Sequence, residues 1–233
     1  MLSSLILSFR EGFEAVLVIG IILTYLKQTN KERLAKYVYY GTFIGVLVGV
    51  IGGYIGFNEA KELEEEGEEL FEGIMMLVSS GLIGYFVVWM SNQNKNISQS
   101  IKSSVDRAST GFGLFILAFL SVFREGIELV AFILTKVSEK ASSVALGTGI
   151  GIILAVILGY ALFKTSLKLN IKIVFKVLGI ILIFVGAELF GEGLAKLMPA
   201  AGELFEEGGA ILFGGVSLIY FLKEDFKRLF GRN

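Results

Sequence analysis

The sequence predicts an all-α integral membrane protein with seven transmembrane helices, built from a 3+3 inverted repeat plus one extra helix. Three observations predict this fold class: long apolar runs, basic residues that cluster on one side, and a duplicated charged motif. The chain of 233 residues is 54% hydrophobic and has a mean hydropathy of +0.73. Such a composition is too apolar for an ordinary soluble domain and is typical of a helical membrane bundle.

Apolar runs of the length needed to cross a bilayer, roughly 20 helical residues, define the spans. Three spans of 22 or 23 residues contain no charged side chain, three are interrupted by charge but apolar on balance, and the last is short, at about 15 residues. The predicted spans are Leu2–Leu26, Tyr37–Asn58, Gly73–Asn94, Gly111–Leu134, Ala141–Phe163, Ile173–Leu194 and roughly Gly208–Leu222, the last with a start as early as Leu204. The first span lacks a basic start and a small-residue cleavage site, so we interpret it as a span and not as a signal peptide.

The chain contains no Cys and no His. Structural disulfides, thiolate or imidazole metal sites, a Cys nucleophile, a Ser-His dyad and haem bound through His or Cys are therefore excluded. Any metal chemistry has to use oxygen ligands, with the five Met residues as a weak exception. Carboxylate clusters suit hard cations such as Mg²⁺, Ca²⁺, Mn²⁺ and iron.

Basic residues concentrate in four segments that would lie on one side of a seven-helix bundle. These segments follow the first, third, fifth and seventh spans and hold 15 of the 21 Lys and Arg residues. The opposite loops are acidic, and Asn58–Glu72 alone carries eight Glu and one Lys. Because cytoplasmic loops carry the excess of Lys and Arg, the N-terminus is predicted outside and the C-terminus inside.

Two segments recur in the same order along the chain. Phe9–Glu14 reads FREGFE, and Phe123–Glu128, 114 positions later, reads FREGIE. Gly41–Tyr54 aligns without gaps to Gly147–Tyr160, with 8 of 14 residues identical. We therefore predict a single membrane domain, 1–233, with repeat one at 1–94, repeat two at 108–195 and the extra helix at about 204–223. Because each repeat has three spans, the second copy is inverted, and transporters built this way place substrate sites near the bilayer midplane where the repeats meet.

Each charged motif puts an arginine and two glutamates on neighbouring positions of one helix. Residues three or four apart share a helix face, so Glu14 lies next to both Glu11 and Arg10. The equivalent residues of the second motif are Arg124, Glu125 and Glu128. Charged side chains at the bilayer centre are costly and usually mark a pathway, and four Glu exceed two Arg. The motifs therefore favour a buried cation site over simple ion pairing within each helix.

A paired R-E-G-x-E motif, on the first and fourth helices of a seven-helix protein, resembles the Ftr/EfeU-type iron permease family over nearly the whole chain. The resemblance implies an iron permease of a prokaryotic plasma membrane that moves iron into the cytoplasm. It implies iron ligands at Glu11, Glu14, Glu125 and Glu128, with Arg10 and Arg124 in the arginine positions of the family. It also implies, in many members, a partner oxidase or peroxidase outside. Iron would be the transported substrate, and we expect no prosthetic group, no enzymatic activity and no nucleic-acid partner.

Pairs of glutamates three or four residues apart recur on the predicted outer side. The tetrapeptide ELFE occurs at Glu69–Glu72 and Glu203–Glu206, and Glu188 and Glu192 flank the sequence LFG in the sixth span. The resemblance suggests that E-x-x-E elements collect iron, which makes candidate metal ligands of Glu69, Glu72, Glu188, Glu192, Glu203 and Glu206. Solvated acidic surface or general attraction of cations explains the same residues as well.

Three other functions stay open at this point. A carrier or channel for another hard divalent cation, such as Mn²⁺, would use the same carboxylates. An intramembrane enzyme with paired carboxylates as acid and base gains nothing from the duplication, and the sequence lacks a recognisable nucleophile or cofactor motif. A purely structural subunit leaves the intramembrane charge unexplained.

Overall fold

The computed structural model describes residues 2–63, 65–92, 97–108, 110–164, 171–199 and 202–230. Within these ranges the chain forms eight α-helices and one turn of 3-10 helix at Glu32–Leu34. The α-helices are α1 (Leu2–Gln28), α2 (Ala35–Lys61), α3 (Glu65–Asn92), α4 (Ile97–Arg107), α5 (Gly111–Leu134), α6 (Ala141–Lys164), α7 (Ile171–Leu197) and α8 (Gly202–Phe230).

Five of the described helices are long and apolar enough, by length and composition, to cross a membrane. These candidate spans are Glu32–Lys61, Gly67–Val88, Ala141–Lys164, Lys176–Leu197 and Gly202–Lys223. Helices α1 and α5 have comparable lengths, 27 and 24 residues, but each carries one arginine and two glutamates of the charged motif. A helix of 24 residues is about 36 Å long, enough for a hydrocarbon core of about 30 Å. The chain is a multi-pass membrane protein.

Each predicted span coincides with one long helix, except that residues 93–94 of the third span lie outside the described residues. The last helix begins at Gly202, ahead of both predicted starts. Its first turns carry Glu203, Glu206 and Glu207, and acidic side chains are favourable at a helix N-terminus. Those glutamates belong to the helix and not to the loop before it.

A short helix lies where the sequence analysis predicts only a basic loop. Helix α4 has 11 residues, about 16 Å, which is too short to cross a bilayer. Its Val105 is buried in an apolar cluster that also contains Leu26 of α1 and Leu114 of α5. Tyr25 of α1 donates a hydrogen bond of 2.8 Å to Asp106. The many polar residues of α4 make the segment look like a loop in the sequence. Its few apolar residues, which pack against α1 and α5, are therefore not evident from composition.

Contacts divide the chain into two compact units. The first unit contains α1, α4, α6 and nearly all of α2 and α5. The second contains α3, α7, α8 and the residues Leu134–Ser138. Both charged motifs belong to the first unit.

In the first unit, α1 packs along α6 through small residues of α6. Gly151 lies against the side chain of Ser8, and Gly159 lies against Val16. A Cβ on Gly12 would lie 3.1 Å from the Cβ of Ala155. Because the contact positions increase together along both helices, α1 and α6 run parallel.

Helix α2 packs along α5 in the same manner. Gly41 lies against the backbone carbonyl oxygen of Phe115, and a Cβ on Gly53 would lie 3.1 Å from Val130. Between them, a Cβ on Gly49 would lie 3.6 Å from the Cα of Gly126. These positions also increase together, so α2 and α5 run parallel. The two helices that carry the charged motifs each have a glycine-rich neighbour.

In the second unit, α7 packs against both α3 and α8. A Cβ on Gly193 would lie 3.1 Å from the carbonyl oxygen of Gly73, and a Cβ on Gly186 would lie 2.8 Å from Ile83. The contact positions increase on α7 as they decrease on α3, so these helices are antiparallel. Glycines again permit the close approach.

We expect Gly151→Ala to lower stability more than Gly149→Ala does. A Cβ at position 151 would collide with the Ser8 side chain and with the backbone of Leu5 and Phe9, whereas a Cβ at position 149 meets nothing within 4 Å. Overpacking of this kind costs about 1–3 kcal/mol. Unfolding of both variants in one detergent measures the difference. Equal stability would contradict the packing of α1 on α6.

Candidate functional site

The first charged motif lies on α1 with its ionic side chains buried. The Arg10 guanidinium forms an ion pair with Glu11 through Nη1 and lies 3.1 Å from Glu14 Oε1 through Nε. The ring of Phe13, itself fully buried, stacks on that of Phe9 with a centroid distance of 5.9 Å. Helical spacing brings Arg10 and Glu14 together as predicted, since they are four residues apart.

The second charged motif lies on α5 and repeats part of this arrangement. Arg124 Nη2 donates a hydrogen bond of 2.7 Å to Glu125 Oε1, and Nε donates one of 3.1 Å to the same oxygen. Arg124 Nε also lies 3.8 Å from Glu128 Oε1. Glu125 is buried, Glu128 is partly exposed, and the Arg124 side chain is exposed.

The two motifs meet across the first unit. Arg10 Nη1 lies 3.8 Å from Glu128 Oε2, which joins α1 to α5 by an ion pair. Ligand oxygens of Glu11, Glu125 and Glu128 all lie within 4.8 Å of one another. Glu14 lies outside this group of three and keeps its contact with Arg10. We refer to Glu11, Glu125 and Glu128 as the carboxylate cluster.

The carboxylate cluster contains oxygens whose hydrogen-bonding capacity is unused. Within the part of the chain that the structure describes, Glu11 Oε2 and Glu125 Oε2 are buried without a hydrogen-bond partner. A buried polar atom left unsatisfied costs about 1–3 kcal/mol, and more when it is charged. A hard cation among these oxygens would remove that cost. The donor set therefore fits a cation ligated by oxygen alone.

The glycine of each motif lies at a point of close helix contact. Gly12 of α1 faces Ala155 of α6, and Gly126 of α5 faces Gly49 of α2. Larger side chains at positions 12 and 126 would push the motif helices away from their neighbours. The R-E-G-x-E pattern thus combines charge for the site with a small residue for the packing behind it.

The predicted outer carboxylates lie in the second unit and do not share one environment. Glu69, Glu188, Glu203 and Glu206 are exposed, and Glu192 is partly exposed. Lys136, Lys196, Glu188 and Glu206 all act electrostatically on Glu192. The exposure of these glutamates and the mixed charge around Glu192 are compatible both with a solvated surface and with the capture of cations.

Glu72 differs from the other outer carboxylates because it is buried and paired. Lys196 Nζ of α7 lies 3.0 Å from Glu72 Oε2, and Ser138 donates a hydrogen bond to the same oxygen. Sequence reasoning missed these two partners. The signal was present in Lys196, one of the few basic residues on the acidic side. The contacts give Glu72 a structural role that joins α3, α7 and the segment Leu134–Ser138.

The fold and the site together define a multi-pass membrane protein that holds a buried, oxygen-only carboxylate cluster between two charged helices. The chain belongs to the iron permease FTR1 family, whose model matches residues 1–218. This confirms the resemblance inferred from the paired motifs.

Individual relatives are similar over a shorter stretch. The ferrous iron permease EfeU of Yersinia pestis is 31% identical over 134 residues, covering 55% of this chain and 48% of the relative. The protein of the same name from Escherichia coli O6:K15:H31 is 30% identical over 134 residues, covering 55% of this chain and 49% of the relative. These matches thus span about half the length of the curated relatives. No solved structure matches the chain significantly.

We expect Arg10→Gln to be far more destabilising than Arg124→Gln. Removing one partner of a buried ion pair costs about 3–5 kcal/mol, because the remaining charge is left buried. An exposed pair contributes about 0–1 kcal/mol, and Arg124 is exposed while Arg10 is not. Chemical unfolding of both variants without added metal measures the two losses. Similar losses would contradict the different environments of the two arginines.

For the outer carboxylates, we expect Glu72→Gln to reduce stability by about 1.5–3 kcal/mol, the range for hydrogen bonds to charged groups. Glu69→Gln, one turn earlier on α3 and exposed, is the matched control and should change stability by less than about 0.5 kcal/mol. Thermal unfolding of both variants makes the comparison. If Glu72→Gln leaves stability unchanged but weakens iron binding, the residue is a ligand and not a structural partner.

Proposed function

We propose that this protein is an iron permease that carries iron ions across the plasma membrane into the cytoplasm through the carboxylate cluster. The observation that carries the proposal is the meeting of Glu11, Glu125 and Glu128, from two helices, within 4.8 Å in a chain without Cys or His. Family membership and the printed names of the relatives favour iron as the cargo. According to this proposal, the chain is a transporter and not an enzyme.

The proposed topology has seven spans, α1 to α3 and α5 to α8, with the N-terminus outside and the C-terminus inside. Two packing directions support it. If spans alternate in direction, the first and fifth spans, α1 and α6, must be parallel, and so must the second and fourth, α2 and α5. Both pairs run parallel, as their glycine contacts indicate. A membrane crossing by α4 would reverse α5 against α2.

The proposed inverted repeat is supported by equivalent contacts. The motif helices are related by 114 positions and the glycine-rich helices by 106. The contact of Gly159 with Val16 then corresponds to that of Gly53 with Val130. The contact of Gly151 with Ser8 corresponds in the same way to that of Gly45 with Val122. Each motif helix thus packs on the glycine-rich helix of the other repeat, as expected where two inverted repeats form one site.

The charges of the site explain how it would take up and release a cation. Arg10 contacts Glu11, Glu14 and Glu128 and so neutralises part of the carboxylate charge when no cation is bound. An arriving cation competes with the guanidinium for the same oxygens. Glu14, outside the carboxylate cluster but next to Arg10, gives the displaced guanidinium a partner. Carboxylate oxygens meanwhile replace the water shell of the ion.

The proposal has two further parts outside the carboxylate cluster. The exposed glutamates Glu69, Glu188, Glu203 and Glu206 and the partly exposed Glu192 would attract cations from outside. An external oxidase or peroxidase partner, which the family resemblance implies, stays a prediction. The runner-up cargo is another hard divalent cation such as Mn²⁺, for which carboxylate ligands are also suitable.

Uptake of radioactive iron into liposomes that hold the purified protein tests the proposal. We expect Glu11→Gln, Glu125→Gln and Glu128→Gln each to reduce uptake at least about tenfold, because each removes one charged ligand of the cluster. Glu32→Gln, at an exposed position, is the control and should leave uptake unchanged. Uptake that survives loss of all three cluster charges would contradict the proposal. Manganese uptake that exceeds iron uptake would favour the alternative cargo.

A further inference from the structure

The two charged motifs are alike in sequence but differ sharply in exposure. The Arg10 side chain is 2% exposed, whereas that of Arg124, 114 positions later, is 62% exposed. Phe13 is 0% exposed, and its equivalent Ile127 is 52% exposed. Glu11 and Glu125, at the centre of the cluster, are both buried. The difference is therefore largest on one face of each helix, at Arg10 and Phe13 on α1 and at Arg124 and Ile127 on α5.

On α5 the exposed face consists of Leu120, Arg124 and Ile127. A guanidinium near the middle of a membrane-spanning helix is costly when it faces lipid, and such residues usually face a water-filled cavity or another protein group. The Arg124 side chain contacts Glu125 and Glu128 but still remains exposed on this face. The face therefore has one charged residue between two apolar ones.

Exposure also decreases in order towards the cluster. The side chain of Arg124 is the most exposed, that of Glu128 is 22% exposed, and Glu125 and Glu11 are buried. Glu14, the α1 equivalent of Glu128, is buried as well. A cation that enters past Arg124 meets Glu128 first and then the two buried carboxylates.

We propose that the face of α5 formed by Leu120, Arg124 and Ile127 lines the access path to the carboxylate cluster in this conformation, and that the equivalent face of α1 lines it in the opposite-facing conformation. Inverted repeats support alternating access because the two copies can exchange environments around a fixed site. Arg10 and Phe13 are buried in this conformation, and in the opposite-facing conformation Arg124 and Ile127 would be buried instead. The exchange rests on the proposed transport function, so its test measures the accessibility of single positions and not iron uptake.

The apolar residues beside Arg124 fit this exchange. A face that only lined water would gain nothing from Leu120 and Ile127, whereas a face that also has to pack tightly needs apolar side chains there. On α1 the equivalent positions, Ile6 and Phe13, are partly and fully buried. The sealed state of α1 shows the packing that the α5 face would adopt.

The chain contains no cysteine, so single cysteines can be labelled without background. We would introduce Ile127→Cys, Phe13→Cys and, as a lipid-facing control, Ile153→Cys, which lies at mid-length of α6 and is 59% exposed. A charged, membrane-impermeant thiol reagent is added from one side or the other of sealed vesicles. We expect Ile127→Cys to react at least about tenfold faster than Ile153→Cys, from one side only. Phe13→Cys should react only from the opposite side.

Several results would overturn the proposal. Reaction of Ile127→Cys as slow as that of Ile153→Cys means that the face contacts lipid, and disulfide-linked dimers of Ile127→Cys mean that a second copy covers it. Labelling of Phe13→Cys from the same side as Ile127→Cys, or no labelling under any condition, excludes the exchange. Should Phe13→Cys fold poorly, the equivalent pair Ile6→Cys and Leu120→Cys repeats the comparison. Iron uptake by the cysteine-free chain, measured in parallel, tests the proposed function separately.

Discussion

The burial of the Arg10 guanidinium among carboxylates is the interaction on which the rest of the first unit depends. Taking charges out of water costs several kcal/mol per ion, and the cost is offset only when geometry and partners are good. Arg10 obtains its partners from two helices, Glu11 and Glu14 on α1 and Glu128 on α5. The unit therefore has to hold α1 and α5 at a separation that an arginine side chain can bridge.

Glycines on the neighbouring helices make that separation possible. Gly151 and Gly159 let α6 approach α1, and Gly49 and Gly53 let α2 approach α5. Close backbone contact through small residues is the usual means of helix association in membranes, where apolar burial gives no advantage over lipid. Packing and charge are thus coupled in the first unit, because glycines bring the motif helices against their neighbours.

Much of this arrangement follows from sequence, and the remainder depends on tertiary contacts. The long helices are visible in composition, and the paired motifs with their glutamates are visible as a repeat. Helix α4 is not, because Val105 becomes apolar core only through contact with Leu26 and Leu114. Glu72 is likewise indistinguishable from Glu69 in sequence until Lys196 and Ser138 are placed beside it. The unequal exposure of Arg10 and Arg124 is invisible to any pattern, since a repeat assigns both arginines the same role.

A permease has to bind its cargo well enough to select it and weakly enough to release it. Three carboxylates alone would hold a multivalent cation tightly, because their negatively charged oxygens replace the water ligands of the ion. A guanidinium tethered among them changes this balance, since it offers the same oxygens an alternative partner whenever the cation leaves. Arg10 already contacts Glu11 and Glu128, so these two carboxylates keep a positively charged partner when the cation leaves. In the proposed permease, the charge that looks least suited to a cation site is the one that allows the site to empty.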